Sequence, residues 1–321
     1  MTVPAVRAAH PVRPAGPSGG APGRRRGGRG GRDGRRGGRR GGRWGVHAFL
    51  LAVSLAFLAP LLLAVYASLR PYEETARDGY FSLPSRLSFD YYRQAFTDSG
   101  MGRYFLNTLL IAVPGVLITL FLASFTAFAV ARLRLRGSLL LLMFFTAGNL
   151  LPQQVIVTPL YVLFTKVPLP YWLSDSLTLY DSLWAVLLVQ VAFQLGFCVF
   201  VLANFMRTLP REILEAAVVD GAGVWTRYRH VTLPLCRPAL AALGTLQFTW
   251  MYNDFLWGLV FLSDGDKLPV TSALNNLRGQ FFTDYNLLAA GSVIVALPTI
   301  VVFLLLQRHF IAGLTLGANK G

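Results

Sequence analysis

Charge is scarce in this chain of 321 residues. Charged side chains make up 14% of it, where a soluble globular domain carries about 25%. Cysteine is nearly absent: Cys198 and Cys236 stand alone, with no CxxC pair, which argues against a disulfide framework, a thiolate metal site and dithiol redox chemistry. The four histidines, His10, His47, His230 and His309, are scattered, so the clustered catalytic groups of an integral-membrane enzyme are missing. No GxxxxGK[ST] phosphate loop occurs, and no recognisable site for hydrolysing ATP is encoded.

What the chain does have is apolar sequence. Hydrophobic residues make up 54%, and they fall in blocks, several longer than the roughly 18 residues that cross a bilayer as a helix. The fold class expected is all-α: a polytopic membrane protein with six transmembrane helices near 46–69, 104–131, 138–165, 182–206, 239–262 and 286–307. The first block is too long for a signal-peptide core of about 7–15 residues, so it is read as a retained anchor. The third is the least regular. Its "GNLLPQQVIVTPLY" places Gly148, Pro152 and Pro159 inside a span, and such breaks persist where neighbours or a water-filled cavity satisfy the freed backbone groups. A pathway element and an ordinary proline kink both account for it.

Positive charge is concentrated at one end. Of 30 Lys and Arg residues, 12 lie in positions 1–45, most of them in "GRRRGGRGGRDGRRGGRRGGR". That segment has almost no large apolar side chains and cannot build a core, so 1–45 is expected to be a disordered tail ahead of a membrane domain at 46–321. RGG-type segments can bind single-stranded nucleic acid, but Trp44 is the one aromatic available for stacking. No nucleic-acid partner is expected; a topology signal and a contact with anionic membrane lipid are. Placing the N-terminus inside puts 22 basic residues in cytoplasmic segments and eight outside, as the positive-inside rule requires. Without the tail the contrast shrinks to ten against eight. Both termini are then cytoplasmic, in a multi-pass protein of the inner or plasma membrane.

The loop 207–238 is punctuated with unusual care. "RTLPREILEAAVVDGAG" reads as a helix, with Pro210 suited to its first position and Glu212 in the first turn, where the helix dipole favours an anion. Asp220-Gly221 offers a C-terminal stop, and a second short helix could follow at 224–230. Ala216, Ala217, Gly221, Ala222 and Gly223 are small enough to let another backbone approach. Docking to a partner and resting on lipid headgroups both fit these features.

"EAAVVDGAGVWTRYRHVTLP" resembles the EAA loop of permease subunits in binding-protein-dependent ABC importers, matching at Glu215, Ala216, Ala217, Asp220, Gly221, Ala222, Leu233 and Pro234. The resemblance runs over about 46–321. "FLNTLLIAV", "PQQVIVTPLYVLF", "MYNDFLWGLVFL" and the ending "LLQRHFIAGLTLGANKG" all look like carbohydrate permeases of the maltose-importer type. Two positions depart from that pattern: Tyr252, where many members have tryptophan, and Asn319, where valine is common. The resemblance implies a coupling helix seated on a cytoplasmic ATPase, with the C-terminal segment reaching toward it. It also implies a homologous second permease, two ATP-binding cassette subunits, an extracytoplasmic solute-binding protein and a sugar cargo. No cofactor is expected on this chain, ATP being hydrolysed by the partner subunits, and no enzymatic activity.

In the fifth span Gln247, Trp250, Asp254 and Trp257 are spaced at 0, 3, 7 and 10. On an uninterrupted helix they share an arc of roughly 80°, with Asn253 about 40° beyond. Asp254 is the charge set deepest in a span, costing about 2.5–3.5 kcal/mol there. Ring faces with amide and carboxylate acceptors suit a sugar in a translocation pathway; an interfacial aromatic belt with Asp254 capping or pairing a neighbouring helix is the plainer account. Gln190 and Gln194 form a weaker candidate for the same lining. Two other functions stay open: a secondary transporter driven by an ion gradient, and an ABC permease for another solute such as a glycerol phosphodiester.

Overall fold

The computed structural model describes residues 38–133, 136–278 and 283–315. Most of the Arg/Gly tail, and the last residues of the C-terminal segment with Asn319, lie outside this set. Two compact units are distinguished, Met1–Phe57 and Leu58–Gly321. The long elements are helices α1 (Gly38–Ser68), α2 (Met101–Arg132), α3 (Ser138–Asn149), α4 (Gln153–Lys166), α5 (Leu183–Thr208), α6 (Arg211–Val219), α7 (Arg237–Tyr252), α8 (Leu256–Phe261) and α9 (Tyr285–Thr315). No strand occurs among the described residues. Helices close their backbone hydrogen bonds within themselves, which is what an apolar run in hydrocarbon requires.

Among the described residues, α1, α2, α5 and α9 are long and apolar enough to cross a membrane as single helices. The two other expected spans are interrupted. The third bends by 92° between α3 and α4, and Pro152 is the reason: it has no N–H, and it disfavours helical backbone at Leu151 before it. Pro159 lies inside α4 without breaking it, as do Pro114 in α2 and Pro298 in α9. The segment expected as one helix at 239–262 divides into α7 and α8 at residues 253–255. There the Asn253 amide donates back to Thr249 O (2.8 Å), and Asp254 Oδ2 accepts from the Trp257 N–H (3.2 Å). Short polar side chains compete with the helical ladder in this way.

The core at one end of the Leu58–Gly321 unit is a seam between α2 and α5. Ala123, Ala127, Cys198 and Ala203 bring the helices close, and Phe128, Val199, Leu202 and Met206 fill the remaining space. At Gly196 a Cβ would fall 2.3 Å from Phe145 O, so only glycine permits α3 to lie against α5. At the other end of this unit Trp257 stacks between Phe193 and Phe261, with Phe164 of α4 against Phe261. Tyr252 is fully buried and donates to Val295 O (2.9 Å), fastening α7 to α9. This departure from the family pattern packs into the core.

At the end opposite α6, the loops are held by buried polar contacts. Arg70 donates to Gly79 O and Ser82 Oγ (3.1 and 2.7 Å), while Asn286 at the start of α9 donates to Arg70 O and Thr75 Oγ1 (2.8 Å each). Asp181 clasps a second loop: Oδ1 accepts from the Ser263 and Asp264 N–H groups (2.7 and 3.0 Å) and Oδ2 pairs with Lys267 Nζ (3.0 Å). Burial opposes ionisation of Asp181, but the Asp264 N–H, the Lys267 ammonium and the Ser263 N–H outweigh it, and its carboxyl is held below the ordinary range. A depressed carboxylate contributes stability above the unfolded pKa of about 3.9 and loses it as pH falls through the folded value. Asp181→Asn should therefore lower the thermal midpoint at neutral pH, and the gap to wild type should close as the pH is taken below about 4. A gap that is the same at both pH values would show that the clasp is not ionic.

Candidate functional site

The loop 207–238 is almost continuously helical. Pro210 (φ −55°, ψ 133°) caps α6 and Arg211 is its first residue, so the proline sits one position earlier than expected. Glu212 occupies the first turn as expected. The far end closes as a Schellman turn: Gly221 N–H donates to Val218 O (3.0 Å) and Ala222 N–H to Ala217 O (2.9 Å), with Gly221 at φ +78°. Helical turns then continue from Val224 to Leu235, including a π-turn at Arg227–Thr232, and run into α7.

The predicted coupling residues divide by exposure. Glu215, Ala216, Asp220 and Gly221 face outward; Ala217, Ala222, Leu233 and Pro234 are half-buried, and Leu233 packs on the α2–α5 core. α6 buries none of its residues fully: Ile213, Val218 and Val219 are exposed, the last 86%, and Leu214 is half-buried.

Two contacts tie the chain on either side of α6 to the spans, and the sequence pointed to neither. Tyr228 looks like part of a basic stretch, yet it is buried. Its hydroxyl hydrogen-bonds Ser124 Oγ of α2 (2.8 Å), and its ring packs on Phe125, Phe128 and Trp225. Arg132, the last residue of α2, donates to Met206 O and Leu209 O, satisfying carbonyls that end α5 and placing a cation where the helix dipole favours one. The available signals were an aromatic inside a basic run and an arginine ending an apolar one. Cys236 is also buried here, and burial pushes its thiol up to about 11. Cys198 and Cys236 are both unpaired.

The pathway residues do not form the single stripe that an unbroken helix would give, because the break at 253–255 resets the rotation. Gln247 and Trp257 are fully buried, Gln247 donating to Cys198 Sγ (3.0 Å) and Trp257 in its aromatic stack. Trp250 is part-exposed with its ring edge on Phe197, and Asn253 is exposed, bonded to Thr249 O and Thr299 Oγ1. Half-buried Asp254 caps the start of α8 and also meets the side chain of Gln190 from α5. Asp254 and Gln190, expected on separate spans as candidates for one lining, are brought together. Gln194 is half-buried. Gln190 Oε1 and Gln247 Oε1 are buried without a hydrogen-bond partner. Beside the α3–α4 bend lies a mainly apolar cavity of about 570 Å³, lined by Phe145, Asn149, Phe164 and Phe193 among others. No group of three or more His, Cys, Asp or Glu that could hold a metal occurs among the described residues.

Residues 105–315 match the family described as binding-protein-dependent transport system inner membrane component. The chain belongs to this family. The permease is 36% identical over 239 residues to the alpha-glucoside transport system permease protein AglG of Rhizobium meliloti, an alignment covering 74% of this chain and 62% of that one. It is 29% identical to the diacetylchitobiose uptake system permease protein NgcG of Streptomyces coelicolor, covering 85% and 88%. It is 31% identical to the arabinooligosaccharides transport system permease protein AraQ of Halalkalibacterium halodurans, covering 85% and 97%. A solved bacterial ABC transporter that imports the acidic polysaccharide alginate shares the fold, with TM-score 0.71 at 21% identity, covering 86% of this chain and 98% of that one. The permease is thus a multi-pass membrane protein of the ABC importer fold, and the gradient-driven alternative is set aside.

The Tyr228 pin is open to test in the permease. Tyr228→Phe should cost about 1 kcal/mol, the lost hydrogen bond, while Tyr228→Ala should cost about 3–5 kcal/mol through the cavity it leaves. Thermal unfolding of the purified protein with equal detergent would rank the two. Equal midpoints for both variants would deny Tyr228 its anchoring role.

Proposed function

We propose that this permease forms half of the transmembrane pathway of an ATP-driven importer and takes up a sugar delivered by an extracytoplasmic binding protein. The observation that carries the proposal is the short exposed helix α6, with the chain before and after it tied to α2 through Leu209 and Tyr228. A second homologous permease completes the pathway, and two ATP-binding cassette subunits turn over the nucleotide. This chain hydrolyses nothing. The names of AglG, NgcG and AraQ, all transporters of glycosides or oligosaccharides, support the cargo class. The distribution of basic residues supports a cytoplasmic α6 and cytoplasmic termini. Closure of the ATPase pair would then move α6, and the pinned ends of α2 and α5 with it, as a rigid-body switch.

A different relative supports another solute class. The osmoprotective compounds uptake permease protein GgtD of Synechocystis is 32% identical over 86% of this chain, which keeps a cargo other than an oligosaccharide as the second reading.

Glu215→Lys reverses the charge of an exposed carboxylate that also lines the arginine-rich cleft beside α6, and Gly221→Asp puts a side chain on a left-handed backbone that has open space around it. Both variants should insert normally and retain ATPase activity, while uptake of labelled oligosaccharide falls at least about tenfold. Uptake at wild-type rates by both would overturn the coupling assignment. In the pathway, Asp254→Asn keeps an oxygen for the Trp257 N–H and removes the charge. Loss of one charge-assisted hydrogen bond to a sugar hydroxyl should lower uptake about tenfold. Unchanged uptake and unchanged sugar-stimulated ATPase would remove Asp254 from the pathway and leave it a capping residue.

A further inference from the structure

A cleft of about 710 Å³ opens between α6 and the ends of α2 and α5, and its lining is basic: Arg132, Arg207, Arg211 and Arg227, with Glu215 the one carboxylate. Arg207, Arg211 and Arg227 have no side-chain hydrogen bond or ion pair with another described residue. Arg132 uses its terminal nitrogen on the end of α5, but its Nε, like the Nε of Arg227, is buried with no acceptor. Buried donors are normally satisfied, and an orphaned pair points to an absent acceptor. Arg211 also lies near enough to Arg132 to repel it. Among the described residues, four arginines therefore line a space to which Glu215 brings the one carboxylate.

The position of the cleft says what kind of anion fits. Arg132 is the last residue of α2, Arg207 lies in the last turn of α5, and Ser138, also on the wall, opens α3. These are the levels at which membrane-length helices leave hydrocarbon and meet headgroups. Basic pockets between span ends take acidic lipid headgroups, and guanidinium forks match phosphate oxygens two at a time. Phe128, Leu214 and Val218 supply apolar wall next to the arginines, which a lipid's glycerol and upper acyl carbons can use and a free phosphate ion cannot.

We propose that this cleft binds the phosphate of an anionic phospholipid, which bridges α6 to the ends of α2 and α5. The lipid would add negative charge that, among the described lining residues, only Glu215 supplies. This requires only that the chain spans a membrane, and it holds whatever the cargo.

The test uses the full chain in its assembled transporter, stripped of loose lipid by detergent exchange and then offered phosphatidylglycerol or phosphatidylcholine, with bound lipid counted by native mass spectrometry. Wild type should retain phosphatidylglycerol and release phosphatidylcholine. An Arg211→Gln, Arg227→Gln double variant should retain at least about tenfold less phosphatidylglycerol; the matching Lys double variant, which keeps the charge, should retain most of it and shows that the change is not misfolding. Equal retention by wild type and the Gln variant, or equal retention of both lipids, would overturn the proposal. Release of the lipid by millimolar inorganic phosphate would assign the cleft to a free anion, and failure of any lipid to bind while the ATPase is attached would assign it to an acidic partner surface; either result contradicts a lipid site.

Discussion

The seam between α2 and α5 bears on every other part of the permease. Lipid tails are as apolar as leucine, so helices in a bilayer gain little from hiding apolar surface on one another. Close packing of small residues and a few interhelical hydrogen bonds hold them instead. Ala123, Ala127, Cys198 and Ala203 supply the close approach. Arg132 closes the seam by donating to the carbonyls that finish α5, and Tyr228 fastens the following loop to Ser124 on the same helix. The chain on either side of the knob at 211–222 is thereby tied to α2, through Leu209 before it and Tyr228 after it. Force on α6 therefore has a short path into the spans, through Leu209 and Tyr228.

The two broken segments have a different use. Backbone that leaves the helix at membrane depth persists only where protein or a cavity satisfies it. The break before Pro152 lies beside an apolar cavity, and the break at 253–255 has its polar groups bonded by Asn253, Asp254 and Thr271. The helices that follow the breaks, α4 and α8, meet through Phe164 and Phe261. Interrupted helices in contact can change their angle without losing hydrogen bonds along a whole span. That property suits a pathway that must open and close.

Local chemistry was the legible part of this sequence. The stop at Asp220-Gly221 needs only a glycine at a positive φ, and the bend at Pro152 needs only a missing N–H, so both could be read from a few neighbouring residues. The long apolar helices were legible for a similar reason, because composition over a window decides them. The spacing of Gln247, Trp250, Asp254 and Trp257 misled because it assumed one rotation per residue across a point where Asn253 and Asp254 bond to the backbone instead. Their approximation to one stripe was a property of an ideal helix that this chain does not form. Tyr228 and Arg132 were hidden because their partners, Ser124 and the end of α5, are distant in sequence. Nothing local distinguishes an anchoring tyrosine from an exposed one.

The central claim is that α6 and α2 move as one body when nucleotide is turned over. Spin labels at the exposed residues Val219 on the knob and Leu117 on α2 would report their separation by pulsed electron resonance in the assembled transporter. The distance distribution should stay narrow and unchanged on adding ATP with its hydrolysis blocked. A shift or a broadening on nucleotide binding would show α6 moving independently of the spans, and would contradict the account.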